Sequence, residues 1–228
     1  MPVALIDGGS HLADITAEEL RGVGALVLYG PLPGGASGSP AAILKDYVRN
    51  GGLLFVDGGD APSLTAALVR SVPALLPVTG AYVSAVQGQW GFGPAQSPLL
   101  RDLDPKKWSP PVYAGGQPWG IQLPAGTSTG STVLLRSHGD AVLVSKRYGA
   151  GHVIWSGLNL PYHIDSFSNR TEARFLLGLP GTSSPAATRG GGIQLRAVGP
   201  YRLAGRLTGL VTGMIVTGIS RTVAILNS

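Results

Sequence analysis

The chain has 228 residues, 44% of them hydrophobic and 13% charged, enough for one sizeable domain with an extension. Its 35 Gly and 18 Pro imply many turns and long connections, and the complete lack of Cys excludes disulfides, thiolate metal sites and cysteine nucleophiles. The net charge of +5 lies wholly in the tail, where Arg189, Arg196, Arg202, Arg206 and Arg221 meet no acid, so the balanced remainder offers no electrostatic footprint for nucleic acid.

The opening MPVALIDGG has neither a basic segment nor a long apolar one, so it does not read as a signal peptide. Val3–Asp7 reads instead as a strand that starts at once, as if residues preceded it. Thr16 and Glu19 have the spacing of a capping box, which predicts a short helix stopping near Gly22. Ala25–Tyr29 is a continuous apolar run, suited to a strand covered on both faces. After a Gly/Pro/Ser loop over Pro31–Ser39, Ser39 caps a helix with Pro40 at its first position. Ile43, Leu44, Tyr47 and Val48 form one apolar stripe at helical spacing. Asn50, Gly51 and Gly52 then supply the left-handed stop.

Leu53–Asp57 is the next buried strand. Gly58, Gly59 and Asp60 turn the chain into a further helix over Pro62–Val69. The alternation of strand and helix implies a parallel sheet with helices on both faces. From Leu75 to Gly130 the pattern changes: Trp90, Phe92, Trp108, Tyr113 and Trp119 stand among Pro, Gly and Gln, as in irregular loops and short strands inserted beside the sheet. Thr132–Arg136 and Ala141–Tyr148 read as a hairpin about Ser137–Asp140, and His152–Ser156 as a further strand. Asn169 and Glu172 form a second capping box, opening a helix whose apolar face includes Ala173, Leu176 and Leu177 and which ends at Pro180 and Gly181.

The fold class expected is α/β: three layers, a mostly parallel sheet with helices on both faces, and an inserted β-rich loop region. It occupies residues 1–179. Residues 180–228 read as a linker and an Arg/Gly-rich tail, either disordered or the start of another domain. Gly205, Gly209 and Gly213 have the small-xxx-small spacing of packed membrane helices. The uncharged run between Arg206 and Arg221 has only 14 residues, short of the roughly 18–20 that a span needs.

Two stretches carry a resemblance. Ile43–Asp57, overlapping the run LKDYVRNGGLLFVDGG, is similar to a segment of class I glutamine amidotransferase-like domains, including the trehalose-utilisation type and the trimerisation domain of some β-galactosidases. Tyr148–His163, YGAGHVIWSGLNLPYH, resembles the strand that closes such domains. It is also similar to domains inside large bacterial and archaeal membrane proteins, some labelled 6-pyruvoyl-tetrahydropterin synthase-related. The resemblance covers roughly Val3–Leu179 and implies a flavodoxin-like fold that begins with one more strand and helix than this chain shows. In catalytic members a Cys stands on the sharp turn after the central strand, and its partner His follows the late strand. Here the turn is Asp57, Gly58, Gly59 and Asp60, and the late turn is Ser156, Gly157, Leu158 and Asn159. Glutamine hydrolysis through a thioester has no nucleophile in this chain.

The residues that remain as candidates lie at the strand ends where α/β sheets bind ligands. Asp57, Asp60 and His163 are the acid–base candidates for a hydrolase acting on a glycan or an amide. Gly58 and Gly59 could present amides to an anion, although Asp60 would repel one, and a tight turn capped by Asp60 explains the same residues. Asn159 and Tyr162 could hydrogen-bond and stack on a sugar, whereas Trp155 suits the core. Ser63 is outside any nucleophile elbow and suits a helix start. No metal-ligand spacing occurs, and no cofactor is implied. The expectation is a non-catalytic module with a protein or carbohydrate partner. Its parent would be a larger, membrane-associated or extracytoplasmic protein, held at the membrane through flanking regions.

Overall fold

The computed structural model describes residues 3–7, 15–29, 39–59, 62–85, 89–93, 97–101, 103–108, 120–160, 163, 169–179, 193–198 and 222–224. Asp60, Tyr113, Trp119 and Tyr162, the stretch 180–192 and the glycines at 205, 209 and 213 lie outside the described residues.

Eleven strands and three α-helices organise this part of the chain. The strands are β1 (Val3–Asp7), β2 (Val23–Tyr29), β3 (Leu53–Asp57), β4 (Val78–Ala85), β5 (Trp90–Phe92), β6 (Gly120–Thr127), β7 (Ser131–Ser137), β8 (Asp140–Tyr148), β9 (Gly151–Ser156), β10 (Ile193–Val198) and β11 (Thr222–Ala224). The helices are α1 (Ser39–Arg49), α2 (Pro62–Ser71) and α3 (Arg170–Gly178). Nine strands form one sheet in the order β11-β1-β10-β2-β3-β9-β8-β7-β5, and β4 with β6 forms a second.

The large sheet is mixed, which corrects the expectation of a mostly parallel one. Parallel pairing runs from β1 through β10, β2 and β3 to β9. Antiparallel pairing takes over on both flanks, through β11 on one side and β8, β7 and β5 on the other. The change of sense has a local cause. Two residues, led by left-handed Gly149 (φ 62°), reverse the chain between β8 and β9, left-handed His138 (φ 48°) and Gly139 (φ 91°) do so between β7 and β8, and a tight hairpin can only join antiparallel strands. Ile193–Val198, within the stretch read as linker and tail, is a strand seated between β1 and β2.

The continuous apolar runs of β2 and β3 face two separate cores. Ala25, Val27, Tyr29, Leu53 and Phe55 pack with Phe175 and Leu176 of α3 and with Trp108. Leu26, Leu28, Leu54 and Val56 pack with Leu44 and Val48 of α1 and Leu64 and Leu68 of α2. Phe175 sits edge-on to Phe55 and Trp108, with ring centroids 5.8 and 5.7 Å away. Burying each such Leu, Val or Phe side chain contributes about 1.5–3 kcal/mol, which is why these runs hold the centre of the sheet.

The stop after α1 is a Schellman motif: Gly52 N donates to Tyr47 O, Gly51 N donates to Val48 O, each at 3.0 Å, and Gly51 has φ 108°. A Cβ at Gly52 would overlap the Tyr47 ring, whose hydroxyl donates to Leu53 O at 3.1 Å. The paired glycines therefore let Tyr47 lock the helix end onto the first residue of β3.

The first capping box forms without its helix. Thr16 N donates to Glu19 Oε2 at 2.9 Å and Glu19 N donates to Thr16 Oγ1 at 3.3 Å. Residues 17–22 are nonetheless turns, ending at Gly22 with φ 78°. So short a segment gains too few intrahelical bonds to offset the cost of nucleation.

Candidate functional site

Parallel strands β3 and β9 pair with Asp57 opposite Ser156, so their following turns leave the sheet side by side. This is the edge where an α/β sheet presents a crevice to ligands. Here the crevice is occupied by the protein's own backbone. Gly58 N donates to Ser156 O at 2.7 Å. Gly59 N donates to Asp57 Oδ1 at 3.1 Å. Both amides of the turn are thereby engaged, leaving neither to hold an anion.

Asp57 is 1% exposed, and its carboxylate crosses to the second turn. Oδ1 accepts from Asn159 N at 2.8 Å, and Oδ2 accepts from Leu160 N at 2.6 Å. Asn159 is left-handed, with φ 59°, a conformation Asn tolerates better than most residues. A Cβ at Gly59 would overlap Asn159 N and stand 2.6 Å from the Leu158 carbonyl carbon. Only glycine lets the two turns approach this closely.

Further side chains close the edge from below. Gln122, fully buried on β6, donates from Nε2 to Gly58 O, while its own backbone N–H donates to Gly157 O at 3.0 Å. Trp155 is buried, as expected of a core residue, and its Nε1 donates to Thr65 Oγ1 at 3.0 Å. A Cβ at Gly58 would overlap that same Thr65 oxygen. Leu158 N donates to Ser156 Oγ at 3.1 Å. The β4–β6 ribbon, within the region read from the sequence as irregular loops and short strands beside the sheet, thus supplies a residue that seals the turn.

His163 and Glu172 form a second buried polar group. His163 Nδ1 lies 3.2 Å from Glu172 Oε2, with side-chain exposures of 3% and 0%. His163 N donates to Asn159 O at 3.2 Å, so the same residue that grips Asp57 also receives the imidazole-bearing segment. Glu172 N is held in turn by the Asn169 side chain at 3.0 Å, which makes Asn169 the N-cap of α3.

Burial pushes the Asp57 carboxyl up to about 6, against the opposing pull of the Leu160, Gly59 and Asn159 amides and of His163. Desolvation therefore outweighs three hydrogen bonds and a neighbouring imidazole.

The structure brings Asp57, His163, Gly58, Gly59 and Asn159 to one edge. Asp60 and Tyr162 lie outside the described residues. Ser63 is exposed on α2, and His138 and His152 are exposed as well. Among the described residues no group of three His, Asp or Glu side chains is arranged to hold a metal ion, and no helix is long and apolar enough to cross a membrane. Sequence reasoning missed Gln122 entirely and saw Glu172 only as a capping residue. The latter had a readable signal: Glu172 lies three and four residues before Phe175 and Leu176, which puts it on the apolar face of its helix.

No protein-family model matches the chain, and no curated protein sequence matches it either. Among solved structures it is similar to cytoplasmic protein STM1381 from Salmonella typhimurium LT2, at TM-score 0.53 and 20% identity over 74% of this chain and 76% of that one. It is more distantly similar to cytoplasmic protein STM3548 from Salmonella typhimurium, at TM-score 0.44 and 17% identity over 64% of each chain. The exo-beta-1,4-mannosidase Op5Man5 from Opitutaceae bacterium strain TAV5 aligns at TM-score 0.38 and 15% identity, over 75% of this chain and 27% of the mannosidase. Of these three, the first is close enough to speak of a shared fold, and at 20% identity the likeness is one of fold alone.

Proposed function

We propose that the chain is a non-catalytic binding or interaction module on a three-layer, class I glutamine amidotransferase-like plan, with helices on both faces of its sheet. It would serve a larger, membrane-associated or extracytoplasmic protein and engage a protein or carbohydrate partner. One observation carries the reading. At the turn after β3, where such a domain would place its nucleophile, both glycine amides and both oxygens of Asp57 are already satisfied by the protein's own backbone. A general base needs a free lone pair directed at the proton it takes, and a substrate needs room beside it. Asp57 is 1% exposed and already has three backbone N–H groups directed at its two oxygens, which suits it to holding the turns rather than to either role. Thioester chemistry has no Cys in the chain to use.

A hydrolase acting on a glycan or amide is the second reading. What favours it is the buried His163–Glu172 pair, an imidazole that also neighbours Asp57, whose carboxyl is pushed up by burial. One assay separates the two. The full chain is incubated with L-glutamine and with a panel of nitrophenyl glycosides and anilides, beside the D57N and H163Q variants. The module reading expects no turnover above that of the variants. A rate that disappears in D57N and H163Q would overturn it.

A further inference from the structure

We propose that β4 is a self-association edge, through which two copies of this chain pair antiparallel about a two-fold axis at Val83. The direction of the backbone groups comes from β6. Gln122 N donates to Gly157 O at 3.0 Å, and Gln122 O lies where a Cβ on Gly157 would stand. Both backbone groups of Gln122 therefore point at the body of the domain and away from β4. Opposed residues of an antiparallel pair turn their N–H and C=O either both toward each other or both away. Val83 stands opposite Gln122, so its own N–H and C=O point outward. Every second residue repeats the pattern, which turns Ala81 and Ala85 outward as well. Pro124 agrees with this: it stands opposite Ala81, at a position where the ladder needs no N–H.

This edge lacks the devices that keep strands of different molecules apart. Val78–Ala85 carries no charge and no proline. Its register shifts fall between Val78 and Ala81, both of which adjoin the core that includes Leu64 and Leu68 of α2. From Ala81 to Ala85 the pairing with β6 is regular. Tyr82 is 53% and Val83 62% exposed, although their partners Leu123 and Gln122 are buried. Successive strand residues point to opposite faces, so both faces of β4 are open here. Among the described residues no strand pairs with its outer edge. A second copy of the same strand fits that edge, because a neutral strand meets no like charge in itself. An axis at Val83 sets Val83 opposite Val83 and Ala81 opposite Ala85, so every outward residue of the regular half pairs and exchanges both its N–H···O bonds. Tyr82 then stands against Ser84 of the second copy, a large side chain beside a small one. The two-fold axis closes the assembly at a dimer instead of a filament. The pairing holds however the Asp57 turn is used.

So short an edge buries less than a standard interface, which makes the dimer weak and responsive to concentration. Sedimentation velocity of the full chain from about 5 to about 500 µM tests it. The wild type should shift from monomer to dimer, and so should A42K, whose new charge lies on the exposed face of α1. V83K sets two like charges at the axis, and V83P removes an outward N–H that β6 does not use; both should stay monomeric. A wild type that stays monomeric, species that grow beyond a dimer, or a V83K that associates like the wild type would overturn the proposal. If a variant fails to fold, amide hydrogen exchange of the wild type decides. Raising the concentration should slow the Ala81, Val83 and Ala85 amides and leave those of Tyr82 and Ser84 as they were. Exchange at Val83 that ignores concentration refutes the pairing.

Discussion

Replacing Gly59 by alanine strikes at the contact on which the closed edge rests. The added Cβ would overlap Asn159 N and stand 2.6 Å from the Leu158 carbonyl carbon and 2.8 Å from Gly157 O. All three are backbone atoms, so no rotamer change relieves the clash. Ordinary carbon contacts lie near about 3.5–4.0 Å, so the 157–159 turn has to withdraw by roughly 1 Å. That movement breaks or stretches the bonds from Asn159 N and Leu160 N to Asp57, at 2.8 and 2.6 Å. Overpacking alone costs about 1–3 kcal/mol, and each hydrogen bond to a charged group contributes about 1.5–3 kcal/mol. With one such bond lost, G59A should destabilise the domain by about 4 kcal/mol. Gly130 is the matched control. Its φ is 78° and an added Cβ meets nothing within 4 Å, so G130A carries only the left-handed penalty of about 1–2 kcal/mol. Urea unfolding at pH 7 followed by tryptophan emission measures both, with Trp155 adjacent to the turn as reporter. If G59A proves no more destabilising than G130A, the two turns do not touch as described and the edge is open to ligands.

Other outcomes follow from the same contacts. The ordinary Asp value of 3.8 rises to about 6 at Asp57, so between these values the folded protein holds a proton that the unfolded chain releases. Stability from this group is complete below about pH 4 and is lost as pH rises through about 6, by about 3 kcal/mol in all. Urea midpoints at pH 4.5 and 7.5 should differ accordingly in the wild type, and D57N should lose this component. Thr65→Val removes the acceptor of the Trp155 indole N–H, leaving a buried donor unsatisfied at a cost of about 1–3 kcal/mol; an unchanged thermal midpoint would contradict that bond. Leu44→Ala empties a fully buried site between α1 and the sheet and should cost about 2–5 kcal/mol in the same measurement.

Local chemistry was legible in the sequence wherever a few adjacent residues determine the outcome. The apolar runs at Ala25–Tyr29 and Leu53–Asp57, the α1 stripe, the Asn50 to Gly52 stop and the β7–β8 hairpin all read correctly from spacing and turn residues. The capping box at Thr16 was equally legible but misled about the helix, because a cap satisfies end groups without supplying length. The partners of β4, β6 and β10 were not legible, since pairing between strands far apart in sequence depends on the whole sheet rather than on a window. At the site, the glycine-rich turn, Asp57, His163 and Asn159 were each singled out, in separate roles. Their mutual consumption was not legible, because no spacing announces that Asp57 reaches residues 159 and 160, about a hundred positions away.

The seat of β10 has a consequence for the order in which the chain assembles. Among the described strands, β1 pairs with β11 on its outer side and is joined to β2 and the strands beyond through β10. Until residues 193–198 have left the ribosome, β1 lacks the strand that joins it to β2 among the described residues, and β2 shows a bare hydrogen-bonding edge to other nascent chains. Such late, long-range closure slows folding and prolongs exposure to aggregation. A chaperone that shelters β2 during synthesis would act where the growing polypeptide is most vulnerable, and clipping the chain before Ile193 would detach β1 while leaving the Asp57 turn in place.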